Sequence, residues 1–92
     1  MFSFNLSEEL KLKIQVLLKK DKKTVKIINK KIKEIISCNI YTINHYKNLR
    51  YNLKEYKRVH IGKSFVLTFK VDIKNKHIIF ADFSHHDDVY RR

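Results

Sequence analysis

Arg58 and His60 stand two residues apart in the segment Tyr56-Lys57-Arg58-Val59-His60-Ile61, where apolar Val59 and Ile61 alternate with polar residues. In an extended strand that spacing turns Arg58 and His60 to one face. An imidazole has an unperturbed pKa of about 6.5 and can take or give a proton near neutrality. A guanidinium beside it can hold a phosphate, or the negative charge that builds on one during reaction. Lys47, Arg50, Lys54 and Lys57 lie close by in the chain and are expected to contact substrate phosphates. A second candidate, His86, sits in His85-His86-Asp87-Asp88, just past the last apolar run. Adjacent side chains in extended chain point to opposite faces, so only one of the two histidines is expected to serve a site. Four contiguous ligands do not converge readily on one ion, and a His-x-x-x-His spacing is absent. The sequence therefore predicts no metal site and no cofactor.

The elements that must position these residues are legible from periodicity. Met1 to Phe4 alternates as a short strand. Ser7 followed by Glu8 and Glu9 starts a helix, because a hydroxyl and carboxylates satisfy the unpaired N–H groups of a first turn. Leu10, Ile14, Leu17 and Leu18 give it an apolar stripe as far as about Lys20. Asp21 caps a second helix over Lys22 to Ser37, with Val25, Ile28, Ile32, Ile35 and Ile36 on one face. Asn39 to Asn52 is polar and mixed and reads as a loop. Strand patterns then cover Tyr56 to Ile61, Phe65 to Val71 and His77 to Phe83, with a turn at Asp72 to Lys76. The expected order is β-α-α-β-β-β: an α+β domain with a helical hairpin packed on a mostly antiparallel sheet.

Composition bounds the function. The chain has 92 residues with 21 Lys and Arg against 9 Asp and Glu, a formal net charge of +12. One domain, residues 1–92, is expected at this length. Hydrophobic residues make up 43%, too many for a disordered basic tail. No apolar stretch is long enough to span a membrane, and no secretory leader is visible. A single cysteine, Cys38, excludes an internal disulfide framework and a zinc ribbon and fits a reducing, cytoplasmic setting. The expected partners are polyanions, nucleic acid or an acidic protein.

The C-terminal half resembles the RelE/ParE superfamily of toxins. The resemblance rests on Leu49-Arg50, on Tyr56 to Gly62 with its Arg-x-His, on the apolar strand Phe65 to Val71, and on Phe80 to Tyr90 with its His-x-x-x-Tyr. The order of elements matches from end to end, and the RelE and YafQ branches are the most similar. The resemblance implies a toxin of a type II toxin–antitoxin pair: an endoribonuclease that cuts mRNA in the ribosomal A site and is neutralised by a cognate acidic, RelB-like antitoxin. It also implies that His60 and His86 occupy the positions of catalytic histidines and that Tyr90 falls on a functional aromatic position. The chain departs from the pattern at three places. Lys47 stands where the YafQ-like branch has a histidine, Ser64 where it has an aspartate, and Tyr51 where a small residue often follows Leu-Arg.

The implied chemistry suits these side chains. RNA supplies its own nucleophile, the 2′-hydroxyl, so cleavage needs a base, an acid for the leaving 5′-oxygen, and cations for the phosphorane. His60 and His86 would share the proton transfers, Arg58 with Lys47 or Lys54 would stabilise charge, and Tyr90 would stack on or orient a nucleotide. Two other readings remain at this point: a ParE-like toxin that grips DNA gyrase without cutting RNA, and a plain basic nucleic-acid-binding module. Histidines lying far apart, or on opposite faces, would favour the ParE-like reading.

Overall fold

The computed structural model describes residues 1–89. Strand β1 (Ser3–Leu6) is followed by helices α1 (Glu8–Lys20) and α2 (Lys22–Ile36), a short helix α3 (Ile40–Ile43), and strands β2 (Tyr56–Ile61), β3 (Phe65–Asp72) and β4 (His77–His85). The strands form one sheet in the order β1-β4-β3-β2. β2 with β3 and β3 with β4 are antiparallel, while β1 lies parallel to β4. The expected α+β architecture is thus present, with mixed pairing at one edge.

Local chemistry sets the helix ends as the sequence predicts. The Ser7 hydroxyl accepts from the Leu10 N–H at 3.1 Å, and the Asp21 carboxylate accepts from the Thr24 N–H at 3.1 Å. α2 buries Val25, Ile28, Ile32 and Ile35. In α1, Leu10 is buried and Ile14 and Leu17 are half-buried, but Leu18 is exposed. At 100° per residue Leu18 stands about 80° from Leu10, off the edge of the stripe. The core joins Leu10, Ile14, Leu17, Ile28, Ile32 and Ile35 to Leu67, Phe69, Ile78 and Phe80 of the sheet.

Three further expectations shift. The first strand begins at Ser3 rather than Met1, because Phe2 is a core residue and its N–H donates to the Ile36 carbonyl at 2.8 Å. The segment read as loop contains α3, closed by a capping box in which Asn39 Oδ1 accepts from the Tyr41 and Thr42 N–H groups, both at 2.9 Å. One turn of helix is too short for periodicity to reveal; Asn-x-x-Thr was its only mark. Finally, β4 runs on to His85, and a 3₁₀ turn, His86–Asp88, follows it.

Period two along β3 sends Leu67 and Phe69 to the helical side and Val66 to the other. On that second side Val66 packs with Leu49 and Val89 in a small separate core, flanked by Leu53 and Tyr56. Chain from the α3–β2 connection and from beyond β4 thus closes over the sheet face opposite the helices.

Candidate active site

The pocket on that face has a volume of about 300 Å³ and is lined by Leu49, Arg50, Tyr51, Arg58, His60, Val66, His86 and Val89. Its floor is the small apolar core, and its walls are two arginines, two histidines and a tyrosine. Each wall has its own support. Arg58 and His60 come from β2, where His60 pairs with Val66. His86 starts the 3₁₀ turn, and its N–H donates to the Ser64 carbonyl in the β2–β3 turn at 2.9 Å. Gly62 opens that turn at φ +64, a left-handed conformation that glycine adopts without strain. Arg50 and Tyr51 come from the chain preceding β2, which is tied to β2 by the bond from the Leu49 N–H to the Tyr56 carbonyl, 2.8 Å.

Hydrogen bonds locate a ring proton on each histidine. An Arg58 Nη1 lies 3.1 Å from His60 Nε2. A guanidinium only donates, so His60 Nε2 must accept, and its proton sits on Nδ1. His86 Nδ1 lies 2.9 Å from Asp87 Oδ1. A carboxylate only accepts, so His86 Nδ1 carries a proton. The pocket thus holds one imidazole with a lone pair at Nε2 beside a cation, and another oriented by a carboxylate.

The other sequence-predicted residues are distributed differently. Arg50 joins Arg58 in the pocket wall. Lys47 and Lys54 are exposed at the margin: the Lys47 carbonyl accepts from the Arg58 N–H at 3.0 Å, and the Lys54 carbonyl accepts from Asn48 Nδ2 at 2.9 Å. Neither lines the pocket, so the cation paired there with Arg58 is Arg50. Lys57 does not belong to the site. It is 8% exposed, and its ammonium donates to the Tyr46 carbonyl at 3.1 Å and to Asn48 Oδ1 at 2.9 Å. Strand alternation turns it away from Arg58, and burial lowers its pKa below the ordinary 10.5. Tyr90 lies outside the described residues.

Two residues named in the sequence take places that the sequence did not assign. Tyr51 presents an aromatic ring at the pocket, 77% exposed, from a backbone at φ +60. That conformation disfavours any residue that carries a Cβ. The second is His85. Its ring centre lies 4.5 Å from that of His86, with the planes 31° apart, instead of on the opposite face. The strand ends at His85, so alternation does not continue through the pair.

No family model matches the chain. A protein of Methanocaldococcus jannaschii named "Putative toxin RelE4" is 48% identical over 92 residues, covering all of this chain and 94% of the relative. The chain belongs to the RelE/ParE superfamily of toxins. Among solved structures, the heterotetrameric YoeB–YefM toxin–antitoxin complex from Staphylococcus aureus is 26% identical, with TM-score 0.72, covering 94% of this chain and 98% of that one. The Escherichia coli DinJ–YafQ complex shares the fold at 15% identity and TM-score 0.65, covering 98% and 99%. The superfamily membership agrees with the helical hairpin and the mixed sheet.

Proposed function

We propose that this toxin is an endoribonuclease that cuts mRNA in the ribosomal A site, acts in the cytoplasm, and is held inactive by an acidic antitoxin. The observation that carries the reading is the convergence of His60, His86, Arg58 and Arg50 on one pocket. An arrangement that only gripped a protein would need no such pair of histidines.

The partners of the two rings suggest the division of labour: a cation beside His60 favours its neutral form, a carboxylate beside His86 its charged form. His60 Nε2 holds the lone pair that takes the 2′-hydroxyl proton. In the free protein that lone pair is occupied by Arg58; an arriving phosphate attracts the guanidinium and releases it. The 2′-oxygen then attacks phosphorus, and Arg58 and Arg50 stabilise the phosphorane. His86 acts as an imidazolium: its Nδ1–H is held by the Asp87 carboxylate, which favours the charged ring, and its Nε2–H goes to the departing 5′-oxygen. The products are a 2′,3′-cyclic phosphate and a 5′-hydroxyl.

The antitoxin reading has its own support. Leu12, Val16, Leu17 and Phe83 line an apolar groove on the helical side, with Lys13 at its edge. A chain of net charge +12 attracts an acidic partner, and an amphipathic helix fits such a groove.

The test is purified protein with programmed ribosomes, reading mRNA ends. Cleavage is expected from the wild type, with His60→Ala and His86→Ala each reduced roughly 10²–10⁴-fold. Intact mRNA beside an active RelE control overturns the reading.

A further inference from the structure

The turn that closes β4 also gathers ligands. His85 ends the strand at φ −61 and ψ 140, and the 3₁₀ turn folds the next two side chains back beside it. One nitrogen from each of His85 and His86 and one oxygen of Asp87 all lie within 4.8 Å of one another. Individual separations are shorter: 2.9 Å from His86 Nδ1 to Asp87 Oδ1, and 3.5 Å from His85 Nδ1 to Asp87 Oδ2. Tetrahedral coordination at about 2.0–2.1 Å puts ligand atoms roughly 3.3 Å apart, so these separations already bracket an edge of such a site. His85 Nδ1 also accepts the Asp87 N–H at 3.2 Å, which requires a lone pair on that nitrogen. The three side chains are 37%, 47% and 63% exposed and can close the remaining gap by rotation.

We infer that His85, His86 and Asp87 form a site for a borderline transition-metal ion such as Zn²⁺ at the rim of the pocket, and that metal there switches His86 off. Two imidazoles and one carboxylate suit Zn²⁺, Ni²⁺ or Cu²⁺; Mg²⁺ and Ca²⁺ want oxygens throughout. The remaining coordination positions face solvent and take water. The net charge of +12 repels cations, but Asp87 and the adjacent Asp88 place two carboxylates at this spot. The sequence argued against a metal because contiguous residues diverge in extended chain; the 3₁₀ turn removes that premise. The inhibitory half rests on the function proposed above. Metal at His86 Nδ1 takes the place of the proton there, so the ring becomes a neutral ligand whose remaining Nε2–H is a far weaker acid than an imidazolium, and the leaving oxygen loses its proton source.

The full-length chain is titrated with ZnCl₂ by calorimetry. One ion per chain is expected, with affinity reduced at least ~10-fold in His85→Ala and in Asp87→Asn and unchanged in His45→Ala. Histidine-ring NMR should show the His85 and His86 nitrogens shifting together. Absence of a saturable site, or equal affinity in the ligand variants, overturns the site. In the mRNA assay, saturating Zn²⁺ should abolish wild-type cleavage and spare His85→Ala, which keeps the metal-free activity. Wild-type cleavage unaffected by Zn²⁺ overturns the inhibition. A protein that binds Zn²⁺ but cleaves no mRNA under any condition keeps the site and overturns the proposed function instead.

Discussion

Arg58 cannot accept a hydrogen bond, and that single fact sets the state of His60. The pair was visible in the sequence, because two residues on one strand share a face whatever the rest of the fold does. Tyr51 was not, because its role depends on a backbone angle that residue type alone argues against. Its left-handed φ of +60 costs roughly 1–2 kcal/mol relative to a residue without Cβ. A bulky side chain held in that conformation at the mouth of the pocket points to substrate contact. Tyr51→Gly is therefore expected to separate stability from activity. Relief of the backbone strain offsets the greater freedom of glycine in the unfolded chain, so Tm should hold within a few degrees. Loss of base stacking, about 1–3 kcal/mol for an aromatic platform, should raise KM for mRNA by roughly 5-fold or more. Tyr51→Phe keeps the ring and should keep KM. A KM unchanged in Tyr51→Gly would remove the ring from substrate binding.

At the scale of the element, β2 shows what strand alternation decides. The reasoning that put Arg58 and His60 on one face also puts Lys57 with Val59 and Ile61 on the other; its charge and its place in the chain suggested a phosphate contact that the pleat forbids. Lys57 instead ties β2 to the chain after α3 through the Tyr46 carbonyl and Asn48 Oδ1. Lys57→Met should leave both acceptors short of a donor and cost about 1–3 kcal/mol, lowering Tm by roughly 5–15 °C, with mRNA affinity and its salt dependence unchanged. The pH dependence has a definite sign. Burial lowers the folded-state pKa of Lys57 below 10.5, so the unfolded chain binds this proton more tightly. The resulting penalty is fully present below the folded pKa and fades as pH rises toward 10.5. Urea unfolding across the alkaline range should show the wild type gaining stability relative to Lys57→Met.

Helix α1 makes the complementary case. Its N-cap and the residues Leu10, Ile14 and Leu17 were legible, because a core-facing stripe follows from 3.6-residue periodicity. The opposite apolar pair, Leu12 at 62% and Val16 at 53% exposure, has no explanation inside the fold. Val16→Asp places a charge in the groove with Leu12 and Phe83, away from the histidine pocket. It should leave mRNA cleavage intact and weaken binding of the acidic antitoxin at least ~10-fold, through repulsion and a buried charge without a partner. Calorimetric titration of the purified partner into both proteins reads the difference. An affinity equal to wild type would move the antitoxin to another surface.

The charge acts at the scale of the whole molecule. A net charge of +12 was the plainest feature of the sequence, yet it did not say which cations reach a substrate. The fold sorts them by distance from the pocket. Arg50 and Arg58 line it, Lys47 and Lys54 stand at its margin, and Lys57 is consumed internally. Lys19, Lys20, Lys22 and Lys23 are exposed where α1 meets α2, and none of them lines the pocket. Cations of these two kinds should fail in different ways. The lysines at the helix junction can only attract RNA through a field that salt screens, over a Debye length of about 8 Å at physiological ionic strength. Replacing all four with Gln should raise KM on programmed ribosomes and make it less dependent on salt, each lost phosphate contact removing about 0.7–0.9 from the log–log slope. The rate at saturation should not change. Arg58→Ala should do the reverse: a saturated rate lower by about 10²–10³-fold, as for loss of one charge-stabilising donor, with nearly the wild-type salt slope. Kinetics of both variants at several KCl concentrations decide the matter. A fall in saturated rate for the four-lysine variant would mean that the helical hairpin takes part in the chemical step, and the division between a docking field and a local site would have to be abandoned.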